Sequence, residues 1–133
     1  MLLTTELPTL STPVERRLES VEARLKEAVS HADPVVDEPA RHLAEAGGKR
    51  LRPLLALLTA HLGPHPETDE VVDAAVVVEL THLATLYHDD VMDEAPTRRG
   101  APTTHTVWGN SVAILTGDVL FARASLIGAG LGP

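Results

Sequence analysis

The sequence predicts an all-α fold, and two observations carry that prediction. From Val71 to Met92 the chain is rich in Val, Ala and Leu and contains no Gly or Pro until Pro96, which is typical of a mostly buried helix from Asp69 to Asp93. Near the N-terminus, apolar residues recur at helical spacing with charges opposite them, at Val14, Leu18, Val21, Leu25 and Val29. Because 44% of the residues are hydrophobic, the chain can form a core of packed helices.

Glycine, proline and capping residues mark the other predicted elements. Residues 1–10 lack the basic start and apolar core of a signal peptide, so we expect a loose tail there. Residues 12–15, Thr-Pro-Val-Glu, have the pattern of a capping box with Pro at the first helical position, which predicts that the first helix begins at this point. Gly47 and Gly63 are each expected to follow a helix end. The remaining predicted helices cover residues 38–46, 54–62 and 111–127.

Three aspartates, Asp89, Asp90 and Asp93, occupy the last turn of the long helix. A helix C-terminus already carries partial negative charge, so each carboxylate is disfavoured there by about 0.3–1 kcal/mol. Asp89 and Asp93 share one face, and His82, two turns earlier, lies on nearly the same stripe. Such a pair of carboxylates can bind Mg²⁺, which completes its coordination with water and phosphate oxygens. The alternative is a solvated acidic helix end.

A complementary basic segment precedes the helix predicted at 54–62. Lys49, Arg50 and Arg52 crowd the N-terminal end of that helix, where the partial charge is positive and N–H groups are unsatisfied. The arrangement is unfavourable unless an anion such as a diphosphate binds there. The alternative is that these cations pair with some of the 19 acidic residues of the chain.

A second basic pair, Arg98 and Arg99, follows the aspartates in a loop that proline and glycine residues mark. The loop places two more positive charges close in sequence to the acidic helix end. A salt bridge back to Asp93 or Glu94 is the alternative to a role in ligand binding.

Taken together, these motifs resemble the trans-isoprenyl diphosphate synthases, the polyprenyl synthetase family. The resemblance covers residues 40–131 and predicts the N-terminal part of an antiparallel helical bundle of the isoprenoid-synthase type. Any one motif alone would be weak evidence, but five in the same order and spacing are not. They are residues 47–53 (GGKRLRP), His82, residues 88–94 (HDDVMDE), residues 98–100 (RRG) and residues 117–118 (GD).

The resemblance implies a reaction and a catalytic site for it. Family members join isopentenyl diphosphate to an allylic diphosphate and require Mg²⁺. By position, Asp89 and Asp93 match the metal ligands that bridge to the allylic diphosphate, and Asp90 matches a supporting acid. Arg98 matches the residue that contacts the allylic diphosphate.

The resemblance also implies a second diphosphate site, for isopentenyl diphosphate. Lys49, Arg52 and His82 match the positions that hold this diphosphate, and Arg99 matches a further contact. For His82 the alternative is a core histidine without a ligand. Its shared face with Asp89 favours the site.

Breaking the allylic C–O bond leaves a diphosphate anion and an allylic cation, so metal ions and cationic side chains must stabilise the developing charge. No nucleophile is required, and the chain has no Cys and no credible Ser-His-Asp arrangement. Two functions are alternatives to a prenyl diphosphate synthase. A class I terpene cyclase would not need the second diphosphate site, and a non-catalytic subunit of a heteromeric prenyltransferase would not need the intact motif residues.

The residues before the aspartates bear on product length. In the family, bulky aromatic residues just before this motif form a floor that stops chain growth. Ala84 and Thr85 occupy these positions and are small, so the resemblance implies a product of geranylgeranyl length or longer. The facing of Tyr87 is left open by the sequence.

Length and charge set the expected partners. The resemblance implies a second aspartate-rich motif downstream, and none is present, so we expect half of a synthase that lacks turnover by itself. Half of a bundle exposes apolar faces, so we expect a homodimer or higher self-association, which in the family involves the segment 110–127. The net charge of −8 makes nucleic acid an unfavourable partner. Absence of Cys fits a cytoplasmic protein. We expect no segment long and uncharged enough to span a bilayer, and therefore no integral membrane protein.

Overall fold

The computed structural model describes residues 8–133, with side chains from residue 12 onward. Over this range the chain forms six helices and one two-stranded antiparallel hairpin, in which Thr97 pairs with Pro102. The all-α prediction is therefore confirmed. In chain order the elements are α1 (Pro8–Val29), α2 (Pro34–Glu45), α3 (Leu51–Ala60), α4 (Asp69–Met92), β1 (Thr97–Arg98), β2 (Ala101–Pro102), α5 (Thr104–Trp108) and α6 (Asn110–Ala129).

Helix α1 begins earlier than the capping-box pattern predicted. It starts at Pro8, so Pro13 lies inside the helix and residues 12–15 do not form its start. Proline fixes φ at a helical value and removes a single N–H donor, so a helix can pass through it near its first turns. Of the predicted loose tail, residues 8–10 are helical and residues 1–7 lie outside the described residues. The predicted apolar stripe of α1 is confirmed, since Val14, Val21, Leu25 and Val29 are buried.

Helix α2 also begins earlier than predicted, because Asp33 caps it. The Asp33 side chain accepts a hydrogen bond from the Val35 N–H, and Pro34 occupies the first helical position. Pro39 sits inside this helix, and the Tyr87 hydroxyl inserts near it. That hydroxyl donates to the Pro39 carbonyl at 2.5 Å and accepts from the Leu43 N–H at 3.2 Å. The structure therefore answers the open question about Tyr87, which faces α2.

Helix α4 is the centre of the fold, with the bounds that the sequence predicted. It packs against α1, α3 and α6, and ten of its residues are buried. Five of them have no exposed surface and form the middle of the hydrophobic core: Ala75, Val76, Leu80, Leu83 and Ala84. A helix surrounded on three sides places the residues of its fourth side in one exposed stripe.

Apolar surface remains on the outside of α4 and α6, as expected for part of a bundle. Exposed apolar residues include Val78 and Met92 on α4 and Ile114, Leu115 and Leu126 on α6. By length and composition alone, both helices could cross a membrane, so the expectation that no segment is long and apolar enough was wrong. The reason is packing, because a core helix of a soluble protein meets the same criterion, and half of the α4 segment is buried in the fold.

Candidate functional site

The loop from Gly47 to Arg50 joins α2 to α3 in a backbone conformation that favours glycine. Gly47, Gly48 and Arg50 have φ values of 96°, 137° and 51°. A Cβ atom on Gly48 would lie 2.9 Å from the Arg99 Cζ atom, so glycine is needed here for space as well as for φ. The loop can therefore approach the Arg98–Arg99 hairpin closely.

The three cations of this loop and of the first turn of α3 differ in environment. The Arg50 side chain is nearly buried and forms ion pairs with Glu22 at 2.5 Å and Glu79 at 3.2 Å. The predicted alternative of pairing with acids is thus confirmed for Arg50. Lys49 and Arg52 are exposed, and among the side chains from residue 12 onward neither has an ion-pair partner. These two remain available to bind an anion.

Arg98 connects the basic hairpin to the acidic end of α4. Its Nε lies 2.7 and 2.9 Å from the two carboxylate oxygens of Asp90, and its Nη2 is 2.7 Å from Oδ1. This hydrogen bond is the main reason that the pKa of Arg98 is raised, and the charges of Asp89 and Asp93 act in the same direction. The negative charges of all three aspartates therefore act on one guanidinium, and Asp90 is the one that contacts it.

The alternative considered for the basic pair, a salt bridge to Asp93 or Glu94, does not occur for Arg98, which pairs with Asp90 instead. Asp93 and Glu94 are exposed to water, whereas Asp90 is 2% exposed. A buried carboxylate needs a charged hydrogen-bond partner much more than a solvated one does. The sequence could not show which of the three aspartates faces inward.

Arg99 connects the same hairpin to the end of α2. It has a left-handed backbone, with φ of 55°, and its Nη1 donates to the carbonyls of Leu43, at 2.9 Å, and Gly47. Burial and the nearby positive charge of Arg50 lower the pKa of Arg99. Its guanidinium therefore lies against the Gly47 loop, where an anion would stabilise its charge.

His82 lies among these cations. Burial lowers the pKa of this half-buried ring from its ordinary value of 6.5, and the positive charges of Arg52, Arg99 and Arg98 lower it further. The positive charges of Arg52, on α3, and of the two hairpin arginines thus all act on one side chain of α4. We call His82, Arg52, Arg98 and Arg99 the cationic cluster.

Asp89 and Asp93 lie one turn apart at the C-terminal end of α4, where the Asp93 N–H donates to the Asp89 carbonyl. No group of three or more His, Asp or Glu side chains arranged to hold a metal ion occurs in the described part of the chain. Two carboxylates nevertheless suit Mg²⁺, which usually takes one or two from a protein and fills its other positions with water and phosphate oxygens. The donor set therefore fits Mg²⁺ together with a phosphate ligand.

A family profile described as polyprenyl synthetase matches residues 33–131. The chain belongs to this family. A nonaprenyl diphosphate synthase of Mycobacterium tuberculosis is 53% identical over 113 residues, which cover 85% of this chain and 34% of that protein. The heptaprenyl diphosphate synthase component 2 of Geobacillus stearothermophilus is 46% identical over 107 residues, or 80% of this chain and 33% of that protein.

Solved structures of family members share the fold. The geranylgeranyl pyrophosphate synthase of Corynebacterium glutamicum, determined with calcium and isoprenyl diphosphate, superposes with a TM-score of 0.82 at 45% identity. That superposition covers 96% of this chain and 38% of the other. The chain thus spans about a third of the length of the family members that it matches.

The two residues predicted to form a chain-length floor separate in the structure. Ala84 has no exposed surface and belongs to the hydrophobic core, whereas Thr85 is exposed and donates its hydroxyl to the His82 carbonyl at 2.6 Å. In this polyprenyl synthetase chain, Thr85 therefore belongs to the exposed stripe that also carries Val78, and the half-buried Asp89 follows it one turn later.

The Gly-Asp motif at 117–118, to which the sequence assigned no role, contacts His88. The His88 ring occupies the space that a Cβ atom on Gly117 would need. Its Nε2 lies 3.0 Å from the Ile114 carbonyl and 3.3 Å from the Asp118 carboxylate. The motif thus fixes α6 against α4 directly beside Asp89.

Sequence reasoning missed the role of Glu79. This acid lies in the middle of an apolar helix, is 2% exposed and pairs with Arg50. An acid within an apolar run was the available signal, because a buried carboxylate requires a cation.

Proposed function

We propose that this chain supplies the substrate-binding N-terminal part of an Mg²⁺-dependent trans-polyprenyl diphosphate synthase, which joins isopentenyl diphosphate to an allylic diphosphate. One observation carries the proposal. The Arg98–Asp90 ion pair joins the cationic cluster to the carboxylates at the end of α4, which supports adjacent sites for two diphosphates and a metal ion.

The isopentenyl diphosphate would bind between Lys49 and the cationic cluster. The exposed cations Lys49 and Arg52 lie at the N-terminal end of α3, where backbone N–H groups also favour an anion. Burial and neighbouring positive charges lower the pKa of His82, and a bound diphosphate would act in the opposite direction and favour the protonated ring. Arg99 would add a positive charge from the hairpin.

The allylic diphosphate would bind at the end of α4. Asp89 and Asp93 would hold Mg²⁺, which supplies neutralisation of charge on the leaving diphosphate. Arg98, oriented by Asp90, would act in the same sense from the protein side. The exposed stripe of α4 would line the path of the growing chain and, with its partner helices, exclude water from the allylic cation.

We propose a product of geranylgeranyl length or longer, because the stripe carries Thr85 and Val78 and no aromatic residue at the floor positions. Thr85, which is exposed, is the better candidate for the floor than Ala84, which is buried. The named family relatives include a nonaprenyl and a heptaprenyl diphosphate synthase, which supports a long product.

The first experiment measures isopentenyl diphosphate binding to the 133-residue chain by titration calorimetry. Lys49→Ala should weaken binding by about tenfold, as expected for losing one charged contact to a phosphate. Arg123→Gln removes one charge at a distant position on α6 and serves as the control. Equal affinity of the Lys49→Ala variant and the unmodified chain would remove the site from consideration.

Turnover provides the second experiment. The chain spans about a third of its relatives, so a steady-state assay with Mg²⁺ and both diphosphates should give no product from the chain alone. A class I terpene cyclase, or a non-catalytic subunit, would show no isopentenyl diphosphate affinity that depends on Lys49. Robust turnover by the pure chain would contradict the expected division of the active site.

We also propose that the chain associates in the cytoplasm through the apolar surface of α6. Ile114, Leu115 and Leu126 are exposed on this helix, and such surfaces usually mark contacts. The Geobacillus relative is named as component 2, so a different subunit is the alternative to a second copy. Light scattering should show a dimer or larger species, and a clean monomer would contradict self-association.

A further inference from the structure

Arg50 holds an unusual position between the two proposed phosphate-binding cations of its segment, Lys49 and Arg52. It is the residue that precedes α3, and its backbone is left-handed, with φ of 51°. A residue other than glycine adopts this conformation at a cost of about 1–2 kcal/mol. The surrounding structure must therefore compensate for it.

The compensation comes from four groups, three of them on three different helices and one in the loop itself. The Arg50 guanidinium donates to Glu22 on α1 and to Glu79 on α4. It also donates to the Ala44 carbonyl at 2.9 Å and the Gly47 carbonyl at 3.2 Å, at the end of α2. A planar guanidinium with five donors in fixed directions can satisfy four such acceptors, which an ammonium group cannot do in the same geometry.

Glu79 is the buried member of this network. It is 2% exposed, and Arg50 is its ion-pair partner. A carboxylate at this depth is tolerated only when it is paired and hydrogen-bonded. The need to satisfy Glu79 therefore holds the Arg50 side chain in place, and with it the loop backbone.

From this geometry we infer that Arg50 and Glu79 are positioning residues for the isopentenyl diphosphate site, an inference that rests on the proposed function. Arg50 turns inward to α1, α2 and α4, and so sets the loop backbone that presents Lys49 and Arg52 to solvent. Neither Arg50 nor Glu79 contacts the diphosphate. They act by fixing the positions of the side chains that bind it.

The variant Arg50→Lys tests this inference without changing the charge of the site. Lysine cannot reproduce the four hydrogen bonds, so the loop should loosen and the affinity for isopentenyl diphosphate should fall about tenfold, since small displacements of binding groups cost this much or more. Titration calorimetry measures the affinity. Hydrogen exchange of the amides at 47–52 should accelerate in the same variant.

The variant Glu79→Gln tests the same inference with an opposite electrostatic expectation. Removing a negative charge next to the cationic cluster would by itself strengthen anion binding. If Glu79 acts by positioning Arg50, affinity should instead weaken. Asp73→Asn is the matched control, because Asp73 also joins α4 to α1, through Arg24 at 3.0 Å, yet lies away from the loop.

The outcomes separate the inference from the proposed function. Weaker binding by Arg50→Lys and Glu79→Gln, with Asp73→Asn at the unmodified affinity, supports the inference. Unchanged or tighter binding by Glu79→Gln, or unchanged binding by Arg50→Lys, overturns it while the proposed site stands. If the unmodified chain binds neither isopentenyl diphosphate nor inorganic diphosphate, the proposed site fails and the inference fails with it.

Discussion

The acidic end of α4 and the basic loop before α3 are built in the same way. In each, a middle residue is turned inward and paired: Asp90 with Arg98, and Arg50 with Glu79. In each, the flanking charged residues are more exposed than the middle one. They are Asp89 and Asp93 on one side, and Lys49 and Arg52 on the other. One charge of each motif therefore serves the fold, and its neighbours remain free for a ligand.

This division has a physical origin. A charge that is buried must be paired, and the pairing fixes its position. The adjacent charged residues are then held at fixed backbone positions, but their side chains are not used in that pair. A ligand of opposite charge can therefore interact with them directly. The two motifs have opposite sign, which suits a metal ion with one diphosphate at the acidic end and a second diphosphate at the basic one.

The largest difference in stability between an inward-turned charge and its neighbour is expected at the aspartates. Asp90→Asn should reduce the free energy of unfolding by about 3 kcal/mol, because Arg98 loses its charged partner in a largely buried pair. Asp89→Asn should leave it unchanged or raise it by about 0.3–1 kcal/mol, because a carboxylate is removed from a helix C-terminus. Urea unfolding of both variants measures the difference. Equal losses would show that the two aspartates are not divided in role.

A second test uses the neighbours Ala84 and Thr85, which also divide into a buried and an exposed member. Ala84→Phe should destabilise the chain by about 2 kcal/mol, because the core has no room for an extra ring. Thr85→Phe should change stability by less than about 0.5 kcal/mol. In a complete synthase, Thr85→Phe should shorten the product, and chromatography of the prenyl chains measures this. Products of unchanged length would exclude Thr85 as the floor.

The smallest effect is expected from His82. Its pKa is lowered in the folded chain, so it contributes stability above its ordinary pKa, and this contribution is lost as the pH falls below that value. The loss should be less than about 1 kcal/mol, because the ring is only half-buried and water screens its neighbours. Urea unfolding of the unmodified chain and of His82→Gln measures this loss. The measurements run from about pH 7.5 to about pH 5, a range that brackets the titration of histidine.

Ligand binding should move the same group in the opposite direction. A diphosphate beside His82 favours the charged ring, so binding of isopentenyl diphosphate near neutral pH should take up protons. Calorimetry in buffers of different ionisation enthalpy detects the uptake, and His82→Gln should reduce it. Identical proton uptake by both proteins would place the ligand away from His82.

Much of the fold could be predicted from the sequence, because the patterns that indicate helices involve residues close to one another in the chain. The long helix α4 was predicted at its observed bounds, since an apolar run without Gly or Pro leaves little choice. Helix starts were less accurate. Capped by Asp33, α2 begins at Pro34, four residues before the predicted start, and α1 passes through Pro13. The hairpin of β1 and β2 was missed, because strands of two residues have no periodicity.

The site was predicted by residue type and not by orientation. The motifs indicated which residues are charged, and the resemblance indicated roles for them. Which aspartate turns inward, and which arginine pairs with a buried acid, depends on neighbours distant in sequence. Glu79 and Arg50 are 29 residues apart, and no local pattern joins them.

The most direct test of the account is a crystal structure of the chain with isopentenyl diphosphate and Mg²⁺. We expect that structure to show a diphosphate in contact with Lys49, Arg52 and His82, with Arg50 still paired to Glu79. A diphosphate that contacts Arg50 and leaves Lys49 and Arg52 in solvent would contradict it, as would a ligand bound elsewhere on the chain.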